Sequence, residues 1–218
     1  VLRRLLGYVR SLLFRGSGRY WERRYAQGRT SGSGSYGSSA AFKAGFLNDL
    51  LGRTGARRVL ELGCGDGAQL ARIDYPDYVG IDISPTAVAR CAASFAHDAR
   101  KRFYAASARE HWALGDRYDL SLSLDVIYHL VEDEVFEAYM ADLFALSRQH
   151  VVIYSTNRDP GPGSEPAPHV RHRRFADWIA THASDWTLTQ VEPNPEAGLP
   201  DFYHYTRRDP ATALSQPA

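Results

Sequence analysis

The chain has 218 residues, 44% of them hydrophobic, which suits one α/β domain with a full core rather than a string of small modules. Its 26 basic and 25 acidic residues leave a net charge of +1, and no basic stripe of the kind that tracks phosphates is visible, so a general nucleic-acid binder is excluded. Two cysteines, Cys64 and Cys91, make no disulfide framework, no apolar run approaches the roughly 20 residues of a transmembrane helix, and the cytoplasm is the default location.

In chain order, Leu2, Leu5, Leu6, Val9, Leu12 and Leu13 recur at helical spacing among Arg3, Arg4, Arg10 and Arg15. Such a basic amphipathic helix suits weak contact with an anionic membrane surface, packing on its own domain, or a dimer mate; a homodimer is the expectation. The stretch from Arg29 to Gly37 (RTSGSGSYG) is a linker by composition, yet its single aromatic, Tyr36, and the helix that follows also suit a lid over a ligand. Three parts result: 1–38, helix and lid or linker; 39–209, the folded domain; 210–218, a disordered tail.

Phe42, Phe46, Leu47, Leu50 and Leu51 mark the next helix. From Arg57 the pattern alternates strand, turn and helix, the mark of a parallel sheet covered on both faces. Strands are expected near Arg58 to Leu62, Tyr78 to Asp82, Arg102 to Ala105, Tyr118 to Leu122 and His150 to Ser155. Ser84-Pro85 reads as an N-cap with proline at the first helical position, and Val135, Phe136, Tyr139, Met140, Leu143 and Phe144 repeat at helical spacing. A helix from about Phe175 to Ala180 then leads to two strands, Trp186 to Val191 and Phe202 to Arg207, which read as an antiparallel pair closing the sheet.

The strongest motif is Val59-Leu60-Glu61-Leu62-Gly63-Cys64-Gly65-Asp66-Gly67, an apolar strand that ends in a glycine turn. Glycine is needed where a ligand lies against the backbone, because a Cβ would occupy that space. The second strand ends in Asp82, 21 residues after Glu61, where a carboxylate can accept both hydroxyls of an adenosine ribose.

With its glycine turn, second acidic strand end and antiparallel tail, the chain resembles the class I methyltransferases that use S-adenosylmethionine. The resemblance implies a Rossmann-like, mostly parallel seven-stranded sheet with helices on both faces and an antiparallel last strand. It also implies cofactor contacts: Glu61 and Gly63 at the methionine end, Gly65 and Gly67 in the turn, Asp82 at the ribose, Ile83 on the adenine and Ser107 near its edge. Tyr36 from the lid and Asp125 from the fourth strand end complete the expected cofactor set. An NAD-binding dehydrogenase is disfavoured, since Gly63, Gly65 and Gly67 give G-x-G-x-G rather than G-x-G-x-x-G.

Methyl transfer needs an acceptor held in line and a group to take its proton. Asp125 and His129 stand at i and i+4 and would share a face if a helical turn starts there, which makes His129 a candidate base. His169 and His172, in a segment that also carries Arg171, Arg173 and Arg174, are the other candidates. Asp125, Asn157 and Asp159 offer oxygen ligands that suit Mg²⁺, similar to metal-dependent O-methyltransferases except that Arg158 separates the last two.

Several blocks, from Tyr20 to Tyr25, Ser31 to Gly37, Asp125 to Leu130 and His169 to Phe175, resemble small bacterial sugar and polysaccharide O-methyltransferases, among them those of methylmannose polysaccharide synthesis. The expected reaction is therefore methylation of a hydroxyl on a small polar acceptor, a carbohydrate. N-methylation of a small amine and a non-catalytic binding role are the alternatives.

Overall fold

The computed structural model describes residues 16–112, 118–161 and 167–208. The expected amphipathic helix of residues 1–15, part of the loop from Pro160 to Pro168 and the expected disordered tail lie outside the described residues.

Helix α1 (Ser17–Ala26) and helix α2 (Gly37–Thr54) precede the sheet. The sheet holds β1 (Arg58–Leu62), β2 (Asp77–Asp82), β3 (Lys101–Ala105), β4 (Tyr118–Leu124), β5 (Ser147–Ser155), β6 (Trp186–Glu192) and β7 (Asp201–Arg207). Helices α3 (Pro85–Ser94), α4 (Arg109–Trp112), α5 (Asp133–Ala145) and α6 (Phe175–His182) lie between them. The strand order is β3-β2-β1-β4-β5-β7-β6; the first five are parallel and β7 is antiparallel to both its neighbours. This is the expected sheet.

Alternation along each strand feeds two cores, because successive side chains point to opposite faces. Leu60 and Leu62 pack with Ile153, Met140, Leu143 and Phe175 under α5 and α6. Val59, Tyr78, Leu122 and Val152 pack with Phe46, Leu47 and Leu50 of α2 on the other face. Ser84 caps α3 as its sequence foretells, accepting from the Ala87 N–H at 3.1 Å, with Pro85 in the first turn.

Among the differences from the sequence reading, three matter most to the fold. Strand β4 runs on to Leu124 through fully buried Ser121 and Ser123, whose small hydroxyls interrupt the apolar run without leaving the core. Strand β5 starts at Ser147 rather than His150, where the polar run Arg148-Gln149 masks pairing with β4. Helix α1, with four charged residues in ten, carries too little apolar signal to be read as an element.

The consequence for function is positional. Chain connections leave β1 and β4 in opposite directions, so the crevice outside their carboxyl ends is the switch point where open α/β sheets bind ligands.

Candidate active site

A cavity of about 720 Å³ occupies that crevice, within the roughly 300–1,000 Å³ usual for small-molecule pockets. Its floor is the β1 turn. Gly63 (φ 89°) and Gly65 (φ 59°) hold backbone conformations that side chains avoid, and a Cβ on Gly63 would run into Val126. Gly67 (φ 76°) serves packing instead: its Cβ would stand 2.8 Å from Phe95 Cε2 and 3.0 Å from Cys91 Sγ, and it does not line the cavity.

Two buried carboxylates flank the turn. Glu61 accepts a 2.6 Å hydrogen bond from the Tyr78 hydroxyl, and burial pushes its pKa up to about 7 against the pull of Tyr78 and Lys43. Asp82 accepts from the Gly65 N–H and the Ser84 N–H, both at 2.9 Å, so it ties the turn to the start of α3. Burial raises it to about 6, opposed by those two backbone donors. Each of its oxygens retains acceptor capacity for a ligand hydroxyl.

Next to Asp82, Ile83 lines the cavity and is 54% exposed. Ser107 is exposed and does not line the cavity; Ala106, Arg109 and Trp112 form that end. The expected adenine-edge position is thus turned away, because the chain enters α4 directly after it.

The roof comes from α1 and the glycine-rich stretch. Glu22 accepts from the hydroxyls of Ser84 and Thr86, each at 2.5 Å, which docks α1 on the N-terminus of α3. Ser31 is latched to Asp66: its N–H and hydroxyl donate to the two carboxylate oxygens at 2.9 and 2.8 Å, and its Oγ accepts from the Asp66 N–H at 3.1 Å. Tyr25 is 3.0 Å from the same Oγ. Tyr36 reaches Asp66 Oδ2 at 3.3 Å but is 44% exposed and outside the cavity lining. The latch therefore belongs to Ser31 rather than to the aromatic.

At the end of β4 the expected helical face does not form. Asp125 takes a positive φ of 61°, rare for a residue with a side chain, and a 3₁₀ turn, Ile127–His129, follows. Asp125 and His129 both line the cavity but have different hydrogen-bond partners. Asp125 Oδ2 pairs with Lys43 Nζ at 2.6 Å, and Oδ1 accepts from the Tyr128 hydroxyl at 2.7 Å. His129 Nδ1 donates to the His169 carbonyl at 2.9 Å, which leaves Nε2 as the acceptor nitrogen of a neutral ring. Burial lowers its pKa to about 4.

His129 stands among rings: Trp21 edge-on at 4.8 Å and His169 stacked at 5.6 Å, with Tyr20 stacked on the far side of His169 at 4.2 Å. His129 and His169 both line the cavity. His172 does not; it lies 2.7 Å from Thr156 Oγ1 beside a second, smaller groove, and burial lowers its pKa.

The expected metal ligands are not brought together. Asp125 lies in the main cavity and accepts from Lys43 and Tyr128, Asn157 Oδ1 accepts from the Ala176 N–H at 3.2 Å and so caps α6, and Asp159 lines the second groove. Asn157 and Asp159 are helix-cap and loop residues, as expected of those types after a strand. No group of three or more metal-ligating acids, histidines or cysteines occurs among the described residues.

Sequence reasoning missed Lys43, Gln69, Glu22 and Trp21. One signal was present for Lys43: it is one of only two lysines in the chain, and it stands on the apolar face that Ala40, Phe46 and Leu47 define.

A parallel sheet with a reversed β7, a glycine turn after β1 and an acid ending β2 are the class I, Rossmann-like methyltransferase fold. Residues 59–150 match the family described as Methyltransferase domain, which together with the fold supports an S-adenosylmethionine-dependent methyltransferase. The cradle fits that cofactor, with positive-φ glycines on its floor and a buried Gln69 oxygen that has no partner among the described residues.

Among solved structures, the chain is similar to the N-methyltransferase NodS from Bradyrhizobium japonicum WM9 in complex with S-adenosyl-L-homocysteine. Identity is 15%, covering 89% of this chain and 100% of that one, with a TM-score of 0.67. It is also similar to CalS10, an amino pentose methyltransferase from Micromonospora echinaspora, at 16% identity over 79% and 93% of the chains and a TM-score of 0.60. Magnesium protoporphyrin IX methyltransferase from Synechocystis PCC 6803 shares 17% identity over 76% and 78%, with a TM-score of 0.55. At these identities the likeness is one of fold. No curated protein matches the chain in sequence. No helix among the described residues is long and apolar enough to cross a membrane.

Proposed function

We propose that the chain methylates a hydroxyl group of a small polar acceptor, a carbohydrate, with His129 as the base. The observation that carries this reading is the locked His129 ring. Its Nδ1–H is spent on the His169 carbonyl, so a neutral Nε2 is available at the cavity wall. S-adenosylmethionine supplies an electrophilic methyl on sulfur. As the acceptor oxygen bonds to that methyl its proton becomes strongly acidic, and a base with a pKa near 4 is sufficient to take it.

The aromatic side chains of Trp21, Tyr128 and His169 that line the cavity suit the C–H face of a sugar ring, and the likeness to an amino pentose methyltransferase agrees with a saccharide-sized acceptor. An amine acceptor, as the likeness to an N-methyltransferase would suggest, arrives as an ammonium and calls for an open carboxylate. The charge of Asp125 is already balanced by Lys43 at 2.6 Å, which favours the neutral hydroxyl. In this reading Asp82 accepts the ribose hydroxyls, Ile83 packs on the adenine, and residues 29–37 act as a lid held by Ser31. The reading also carries a homodimer and a cytoplasmic location over from the sequence; sedimentation of the full chain at the monomer mass would remove the dimer.

The test is methyl transfer from labelled cofactor to matched panels of neutral and amino sugars, using wild type and His129→Gln. Expected is label on hydroxyl oxygen, with kcat reduced about 10²–10⁴-fold in the variant and product-cofactor affinity retained. Label only on nitrogen, or an unaffected kcat, would reject the reading.

A further inference from the structure

Two buried polar side chains at one end of the cavity are incompletely satisfied by the protein. The Lys43 side chain is 1% exposed and lines the cavity, and an ammonium carries three donors. One reaches Asp125 Oδ2 at 2.6 Å; the Tyr154 ring lies 5.2 Å away. Gln69 is 7% exposed and lines the same cavity. Its Nε2 donates to the Ala40 carbonyl at 3.1 Å, and its Oε1 has no partner among the described residues. Ala40 is one helical turn before Lys43 on α2, so both groups stand on the same side of the glycine turn.

A buried cation with donors to spare and a buried acceptor without a donor together complement a zwitterion. Hydrogen-bonding capacity left unused on a buried group is costly, and a ligand that satisfies both would bind there. Glu61, the residue that the family resemblance assigns to this end, lines the same cavity and already accepts the Tyr78 hydroxyl on one oxygen.

We propose that Lys43 and Gln69 bind the amino-acid end of the cofactor, Lys43 Nζ donating to its α-carboxylate and Gln69 Oε1 accepting from its α-ammonium. The inference rests on the cofactor reading above. It assigns this part of the recognition to α2 and to the segment after the glycine turn, and Lys43 lies outside the matched residues 59–150.

The test is calorimetry on the full chain with three ligands: S-adenosylhomocysteine, its decarboxylated amine analogue, and 5′-methylthioadenosine, which lacks the amino-acid end. In wild type, each truncation should weaken binding at least tenfold. Lys43→Met should weaken S-adenosylhomocysteine at least tenfold while leaving 5′-methylthioadenosine within about twofold, and Gln69→Leu should act in the same direction. Equal losses for both ligands in either variant would mean a purely structural role and overturn the assignment, as would wild type binding the decarboxylated analogue as tightly as S-adenosylhomocysteine. That last comparison needs no variant, so it decides the matter even if Lys43→Met does not fold. If wild type binds none of the three, the cofactor reading itself fails and the assignment falls with it.

Discussion

Replacing Gly63 with alanine should destabilise the fold by two separable amounts. The first is backbone strain: an L-residue forced to positive φ loses about 1–2 kcal/mol, and Gly63 stands at φ 89°. The second is steric, because the new methyl group would run into Val126 Cγ2, and overpacking of this kind costs about 1–3 kcal/mol. Gly63→Ala should therefore lose about 2–5 kcal/mol in urea unfolding. Val126→Ala alone removes two partly buried methyl groups and should cost about 1.5 kcal/mol. In the double variant the collision is gone and only the strain remains. The coupling between the two sites should thus be favourable by about 1–3 kcal/mol, well above the ~0.5 kcal/mol scatter of independent sites. A coupling inside that scatter would refute the claim that Val126 is what excludes a side chain at Gly63. The double variant should still bind S-adenosylhomocysteine poorly, since the Gly63 Cβ would remain on the cavity floor.

Burial raises Asp82 to about 6, so the folded chain holds a proton that the unfolded chain releases near pH 4; this contribution favours folding at acid pH and is lost as pH rises through about 6. Asp82→Asn should accordingly gain stability relative to wild type between pH 4 and 7 in urea titrations, while losing affinity for S-adenosylhomocysteine at every pH. His129 has the opposite sign: its pKa is depressed to about 4, and its contribution, full above about pH 6.5, is lost as pH falls through about 4. His129→Gln should flatten that acid-side slope. Asn157→Ala should cost about 1 kcal/mol through the lost cap on α6, read by thermal unfolding, and chelators should leave methyl transfer unchanged in it and in wild type. Glu22→Gln weakens the docking of α1 on α3 and should speed dissociation of S-adenosylhomocysteine in stopped-flow measurements.

The parallel core was legible because its rules are local. Val59 to Leu62 and Val79 to Ile81 are short apolar runs that end in glycine or acid, and Ser84-Pro85 marks a helix start wherever it occurs. Ser107, which the resemblance puts near the adenine edge, stands exposed in the turn after β3 and off the cavity lining, a detail of side-chain direction that strand spacing does not carry. The surroundings of the expected metal ligand Asp125 are set by tertiary structure: Lys43, 82 residues before it in the chain, reaches it only after α2 packs on the sheet. Periodicity presents Lys43 as a polar interruption of an apolar face. Nothing in single-sequence spacing announces that an ion-pair partner waits beneath it. The roof was legible only in outline, since composition shows that residues 29–37 can bend but not that Ser31 meets Asp66.

The scarcity of lysine has a practical consequence. Lys43 is 1% exposed and paired with Asp125, and Lys101 is 8% exposed and paired with Asp98 at 2.5 Å, so neither of the chain's two side-chain amines is offered to solvent. Acylating reagents will label this protein slowly at its lysines. Because Lys43 lies under the roof formed by α1 and Ser31, the rate at which it gains a label in a mass spectrum is a clock for roof opening. A bound cofactor should slow that clock without slowing the one at Lys101.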